Sequence, residues 1–173
     1  MSDTPAIAVD IALEAEAWGE EGRWRPLVET VAAAVAARGE LIVPADAELS
    51  LVLTDDARIR LLNRDWRGFD KPTNVLSFPA ADDDDEDPGP LLGDVVVAYE
   101  TTAREAADEG KRFDDHVAHL LVHGLLHLFG FDHEDDDEAE EMEALESEIL
   151  AGLGIADPWA EDRDAAPVER GTN

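Results

Sequence analysis

Apolar positions in the first third of the chain predict two strands around a helix. The runs "AIAVDIAL" at 6–13 and "LSLVL" at 49–53 have the length and apolar content typical of strands. Between them, residues 25–39 carry apolar side chains at helical spacing and end at Gly39, a common helix stop. We therefore expect the chain to open as β-α-β.

The remaining elements follow from the same kinds of pattern. Residues 55–67 begin with carboxylates that suit a helix N-terminus and place Ile59, Leu62 and Trp66 on one apolar face. Two strand-like runs and then three helical patterns follow, at 73–79, 92–100, 101–109, 113–129 and 136–151. The acidic stretch "DDDDED" at 82–87 separates the two strand-like runs.

The order of these elements favours an α+β fold. Strands are grouped early and helices dominate the last part, whereas a doubly wound fold would alternate them regularly. We expect an approximately four-stranded mixed sheet packed with four to five helices in one domain, residues 1–155. Residues 156–173 form an acidic tail with little to bury, which predicts disorder.

Composition and charge limit the classes of protein. The chain is 45% apolar but has no apolar run of the roughly 18 residues that a membrane helix needs. It has no cysteine and no secretory signal, so we expect a cytoplasmic protein without contact to membranes. The net charge of −30 would repel nucleic acid at long range. We interpret most of the acid, including 82–87, Glu134 to Glu148 and the tail, as solvated surface.

All five histidines lie between residues 116 and 133. On a helix that advances about 100° per residue, four of them form one stripe within about 40° of His123. The rest of that helix is apolar, which predicts that it is buried. His123 and His127 are at i and i+4, the spacing with which one helix gives two imidazoles to zinc. Gly130 can end the helix and let His133 return to the same point.

We therefore predict a metal site on the buried helix, formed by His123, His127 and His133. Three imidazoles leave one position of a tetrahedral zinc open, as in catalytic sites, and one Zn²⁺ per chain is our first choice. Nickel or another divalent ion would also fit these ligands. For His119 we expect a role in supporting the ligands, contacting the substrate or carrying a proton. We expect His116 to be a hydrogen-bonded core residue.

The residue after His123 helps to distinguish between the reactions that a metal site could catalyse. In the zinc-protease motif H-E-x-x-H, a glutamate beside the first histidine is the general base. Here that position is Gly124, which cannot move a proton. Peptide hydrolysis by that mechanism is therefore disfavoured.

Cations are concentrated in one short segment. Of 13 lysines and arginines, five fall between residues 58 and 71. Arg58, Arg60 and Arg64 are equally compatible with a solvated, salt-bridged helix face. Arg67 and Lys71 lie at the helix end and in the next loop, where a cationic pair could hold a phosphate.

Three motifs together resemble a known family. "WRGFDKPTNVLSFP", "LLGDVVVAYE" and "HLLVHGLLHLFGFDH", in this order and spacing, are similar to the bacterial rRNA maturation factors of the YbeY type. The resemblance covers about residues 48–153 and implies an α+β fold with a zincin-like helix that carries the metal. The zinc ligands of the family match His123, His127 and His133, and its functional arginine matches Arg67. Asn74 stands where many members have aspartate.

The resemblance implies a single-strand-specific, metal-dependent endoribonuclease that acts in 16S rRNA 3′ end maturation and late ribosome quality control. Arg67 and His119 are then the candidate catalytic residues. The implied partners are single-stranded rRNA, the small ribosomal subunit, ribosomal proteins and a ribosome-associated GTPase. Two alternatives remain at this point: a zinc-stabilised assembly factor without catalytic activity, and a zinc hydrolase that acts on an amide bond.

Overall fold

The computed structural model describes residues 6–80, 90–131 and 136–155. Within these ranges lie four strands, five α-helices and one short 3-10 helix at Glu16–Trp18. The strands and α-helices are, in chain order, β1 Ile7–Leu13, α1 Glu21–Ala36, β2 Ala47–Thr54, α2 Asp56–Arg67, β3 Val75–Pro79, β4 Leu91–Ala98, α3 Tyr99–Glu109, α4 Phe113–Leu128 and α5 Asp136–Gly152. The acidic stretch 82–87, His133 and the tail 156–173 lie outside the described residues.

The sheet is mixed, as the sequence predicts. Its strand order is β1-β2-β4-β3. β1, β2 and β4 run parallel, whereas β3 pairs antiparallel with β4, with Val75 opposite Val97 and Pro79 opposite Gly93. Five helices around this four-stranded sheet confirm the α+β class.

Each face of the sheet has its own apolar core. Side chains alternate between the faces along a strand, so alternate residues of β2 and β4 point towards α1, α4 and α5. The larger core on that side includes Leu49, Leu51, Leu53, Val95 and Val97. On the opposite face, Ile59 of α2 packs with Leu76 of β3 and with Val96 and Ala98 of β4.

Helix α2 forms where the sequence predicts it, but its apolar face is narrower. Asp55 caps the helix by accepting a hydrogen bond from the backbone N–H of Arg58 at 2.8 Å. Of the residues on the predicted apolar face, Ile59 is fully buried, whereas Trp66 is 71% exposed. The polar residue Asn63 of the same helix is buried. Its side chain donates a hydrogen bond to the carbonyl of Lys71 in the following loop, which compensates for the burial of its amide nitrogen.

Helix α1 begins one turn earlier than the sequence predicts. Its first turn contains Trp24, which is buried and donates from Nε1 to the carbonyl of Trp18 at 2.8 Å. The two indoles lie edge to face, with ring centroids 5.2 Å apart, and Phe113 contacts both. This aromatic cluster stabilises helical turns that local propensity does not predict.

Helix α3 also begins earlier, at Tyr99, so the strand predicted over 92–100 is shorter. The Asp56 carboxylate of α2 accepts hydrogen bonds from the N–H and the hydroxyl of Thr101. In return, the Glu100 carboxylate accepts one from the N–H of Asp56. The two helices therefore cap each other's N-termini through contacts distant in sequence.

Helix α4 is buried nearly all round and crosses the centre of the larger core. Its end agrees with the prediction, because Gly130 takes a positive φ of 101° just after the last turn. None of the helices in the described part of the chain is long and apolar enough to cross a membrane.

Candidate active site

Four histidines form a continuous stripe along α4. Neighbouring rings are separated by 6.0 Å between His116 and His119, 6.4 Å between His119 and His123, and 4.5 Å between His123 and His127. His116 is buried, whereas the other three are partly buried. The stripe therefore runs from the protein interior towards solvent along one face of the helix.

Glu146 of α5 holds two of these histidines. Its Oε2 lies 2.7 Å from Nδ1 of His123, and its Oε1 lies 3.3 Å from Nε2 of His119. The side chain of Glu146 is only 1% exposed. Burial of this carboxyl opposes its ionisation, but the hydrogen bonds from His119 and His123 lower its pKa to about 2. The carboxylate is therefore ionised at neutral pH.

We expect the acidic segment Glu134 to Glu148 to be solvated surface, but Glu146 is an exception. Glu146 lies on the buried face of α5, among the core residues Met142, Leu145 and Ile149. A carboxylate at that position would be costly without partners, and the two imidazoles supply them. The interpretation of this whole segment as solvated is wrong for Glu146.

The hydrogen bond to Glu146 also sets the tautomer of His123. A carboxylate only accepts, so Nδ1 of His123 donates, and the neutral ring presents an unprotonated Nε2 on its other side. This Nε2 lies 3.0 Å from Nε2 of His127. A carboxylate behind one imidazole nitrogen, with the other nitrogen directed outward, is the arrangement that orients histidine ligands in metal sites.

The fit to a metal ion can be tested on this pair. Two nitrogens bound to one tetrahedral zinc are roughly 3.3 Å apart, given Zn–N distances of about 2.0–2.1 Å. The observed 3.0 Å is close to that value. Within the described ranges no group of three or more metal-ligating side chains is assembled. His133, the third predicted ligand, lies outside these ranges.

His116 has the structural role that we expect for it. It is 3% exposed, and its Nε2 lies 3.0 Å from Oε1 of Glu105 in α3. The Asn74 side chain donates to the same oxygen at 2.9 Å. Burial lowers the pKa of His116, and the hydrogen bond to Glu105 opposes this. An aspartate in place of Asn74 could not donate this hydrogen bond.

The structure explains why position 124 is a glycine, which the sequence does not show. A Cβ at this position would lie 2.9 Å from Cγ1 of Val95 and 3.2 Å from Oγ of Ser77. The Ser77 hydroxyl donates to the carbonyl of Gly124 at 3.0 Å. Glycine therefore lets α4 approach the sheet closely, and a larger side chain there would force α4 or Val95 to shift.

A cavity of about 400 Å³ opens beside α2 and α3. The predicted phosphate-binding residues Arg67 and Lys71 both line it, together with Phe69, Asn74 and Glu105. Glu105 also contacts His116, the first member of the stripe. Glu105 thus borders the cavity that the cationic loop lines and also contacts the histidine helix.

Two residues of this site were missed in the sequence, Glu105 and Glu146. For Glu146 the signal was present, since helical spacing places it on the same face as Met142 and Ile149. Glu105 is one of many carboxylates in α3, and only the position of His116 distinguishes it.

Comparisons with known proteins agree with this architecture. The sequence model of the family described as Endoribonuclease YbeY matches residues 12–154. A protein named Endoribonuclease YbeY from Allorhizobium ampelinum is 53% identical over 159 residues, which cover 89% of this chain and 95% of the relative. One of the same name from Bradyrhizobium sp. (strain BTAi1) is 50% identical over 165 residues, covering 93% and 97%.

A solved structure shares the fold. The solution structure of a Thermotoga maritima protein aligns with a TM-score of 0.57 and 25% identity, covering 92% of this chain and 93% of the other. Family match, sequence identity and fold all point the same way. This chain therefore belongs to the Endoribonuclease YbeY family.

Proposed function

We propose that this protein is a single-strand-specific, metal-dependent endoribonuclease that acts in 16S rRNA 3′ end maturation and late ribosome quality control. Its relatives carry the name endoribonuclease. The observation that carries the proposal is the convergence of the Nε2 atoms of His123 and His127, with Glu146 behind His123. That arrangement supports a metal-assisted cleavage.

In this proposal His123, His127 and His133 hold one Zn²⁺. Zinc would supply Lewis-acid chemistry there, by polarising a phosphoryl oxygen or an attacking water. Glu146 keeps Nδ1 of His123 protonated, which leaves its Nε2 available as a ligand. The ligand set is entirely nitrogen, in keeping with a catalytic rather than a closed structural site.

The other residues of the site act on the substrate. Arg67 borders the cavity and is exposed, so its guanidinium can stabilise the charge that develops on a phosphate. His119 shares the Glu146 carboxylate with His123 and is partly exposed, so it can position or carry a proton. A 2′,3′-cyclic phosphate on the product would identify attack by the substrate's own 2′-OH.

The buried position of Gly124 argues against the alternative that the protein hydrolyses an amide bond. The general base of the zinc-protease mechanism would need a carboxylate where Val95 and Ser77 leave no room for a Cβ. An RNA substrate needs no base at this position if its 2′-OH is deprotonated elsewhere in the site. The packing of α4 on the sheet therefore favours phosphodiester over peptide cleavage.

The proposal includes the partners and the compartment. We place the protein in the cytoplasm, with the small ribosomal subunit, ribosomal proteins and a ribosome-associated GTPase as partners. Its net charge of −30 suits contacts with basic ribosomal proteins. The cations at Arg67 and Lys71 provide the local attraction that an RNA needs on such an acidic protein.

The test is cleavage of a single-stranded RNA that spans a 16S 3′ precursor end. We expect the unmodified protein to cut it, and both chelation and His127→Ala to stop cleavage. Equal cutting by both proteins would show that the activity does not use this site. If neither cuts, while only the unmodified protein retains metal and both sediment with small subunits, the protein is an assembly factor and the nuclease proposal is wrong.

A further inference from the structure

The loop that follows α2 presents an exposed aromatic ring near two cations. Phe69 is 51% exposed. The Arg67 guanidinium carbon and the Lys71 ammonium nitrogen each lie 5.8 Å from the centroid of its ring. All three residues line the same cavity. A large apolar ring left in solvent beside two positive charges suggests a ligand with a flat face and negative charge.

The loop conformation is held by backbone contacts. Gly68 ends α2 with a φ of 79°, and the N–H of Lys71 donates to the carbonyl of Phe69 at 2.9 Å. The buried side chain of Asn63 donates to the carbonyl of Lys71 at 2.9 Å. The backbone that carries the ring and the two cations is therefore preorganised, which reduces the entropy lost when a ligand binds.

The charges of this loop differ from those on the rest of α2. Arg58, Arg60 and Arg64 are paired with Asp55, Asp70 and Asp65 at 2.7, 2.8 and 2.9 Å. Arg67 and Lys71 form no ion pair with any carboxylate in the described part of the chain. Among the residues that the structure describes, these two cations therefore remain available to an external anion.

We propose that Phe69, Arg67 and Lys71 form a nucleotide subsite for single-stranded RNA, in which an unpaired base stacks on Phe69 while the two cations bind the adjacent phosphates. The inference rests on the proposed function in taking RNA as the substrate. A base inside a duplex has both faces covered by its neighbours, whereas a single-stranded base can turn out onto an aromatic ring. The subsite thus supplies a physical cause for preferring single strands.

Binding of a short RNA tests the subsite without any cleavage. The probe is a fluorescently labelled oligoadenylate of about 10 nucleotides, a typical length for single-strand sites, measured by anisotropy with the metal chelated. We expect Phe69→Ala to raise Kd on the order of tenfold, because one stacked base is lost. Phe69→Trp should keep the affinity. Leu61→Ala, which removes an exposed apolar residue of α2 outside the cavity lining, should bind as the unmodified protein does.

Salt dependence separates stacking from charge. Lys71→Ala should lower the slope of log Kd against log salt concentration by about 0.7, the value for one phosphate contact on a single strand. Phe69→Ala should leave that slope unchanged. The subsite is wrong if Phe69→Ala binds oligoadenylate as tightly as the unmodified protein, or if it weakens a duplex RNA of equal length to the same degree.

Cleavage kinetics keep this inference separate from the nuclease proposal. With active enzyme, Phe69→Ala should raise KM for single-stranded RNA and leave kcat within about twofold, since stacking contacts a base that does not react and therefore acts on binding. If the variants bind RNA as expected but the unmodified protein cleaves nothing, the subsite proposal holds and the nuclease proposal is wrong. If the unmodified protein cleaves RNA and Phe69→Ala has an unchanged KM, the nuclease proposal holds and the subsite proposal is wrong.

Discussion

The Oε2 atom of Glu146 lies 2.7 Å from Nδ1 of His123, although 23 residues separate them in the chain. This contact joins α5 to the histidine stripe of α4. It satisfies a carboxylate that is almost completely buried, and it orients the imidazole so that its other nitrogen is directed to His127. Packing of the core and geometry of the site therefore depend on the same pair.

Replacing Glu146 should weaken zinc binding at the site that we propose. In Glu146→Gln the hydrogen bond to His123 loses its charge, and such supporting partners typically contribute 10–100-fold to metal affinity. We expect a loss of about that size in zinc affinity, measured by competition with a chelating dye. Glu141→Gln, on the exposed side of the same helix, is the matched control and should bind zinc normally. Equal affinities of the two variants would contradict this role for Glu146.

The stability of the protein should fall on mild acidification because of His116. Burial holds the pKa of its folded form below the usual 6.5, so the unfolded chain takes up a proton that the folded chain does not. Its contribution is therefore complete above pH 6.5 and is lost as the pH falls towards the folded value. Glu105 opposes the shift through its hydrogen bond, Glu109 adds to that opposition, and Lys111 favours the shift.

Urea unfolding between about pH 7.5 and pH 5.5 measures this effect, because model carboxyl groups titrate mainly below that window. We expect the unfolding free energy of the unmodified protein to decrease across it. His116→Gln should show a smaller decrease, since its side chain cannot be protonated. Identical pH dependences would mean that His116 is not buried in its neutral form.

An alanine at position 124 should destabilise the fold. Its Cβ would lie 2.9 Å from Cγ1 of Val95, so α4 or the strand must shift, and overpacking of this kind typically costs about 1–3 kcal/mol. Chemical denaturation measures the loss. Gly22→Ala in α1 is the control, because nothing lies within 4 Å of its Cβ and alanine favours a helix. A Gly124→Ala protein as stable as the control would refute the close packing.

Removal of the Arg67 side chain should impair cleavage but not metal binding. The guanidinium borders the cavity and makes no ion pair within the described residues, so Arg67→Ala should lower kcat/KM for single-stranded RNA by about 10²-fold. Its zinc content and unfolding free energy should be unchanged. Arg60→Ala removes another arginine of α2, one that is paired with Asp70 of the following loop, and should retain activity. Loss of zinc in Arg67→Ala would contradict the proposed role.

Much of the fold could be predicted from local pattern. The periodicity of α2 and α4 and the runs that form β1 to β4 gave the mixed sheet and the α+β class. The spacing of the histidines placed four of them on one face of α4, where the structure has them. These features depend on residues close in sequence, and helix and strand geometry alone relate them.

Other features depended on contacts between distant segments. Trp24 extends α1 by a turn because Trp18 and Phe113 enclose it, and Asp56 starts α3 from a different helix. No local pattern shows such partners, because their free energy arises only when the segments pack together.

The sequence by itself determined the elements of this protein and the row of imidazoles on its buried helix. Only the tertiary structure decided that Glu146, among the carboxylates that the structure describes, holds His119 and His123. Composition counts every carboxylate alike, whereas burial selects the one whose charge must be satisfied by a specific partner.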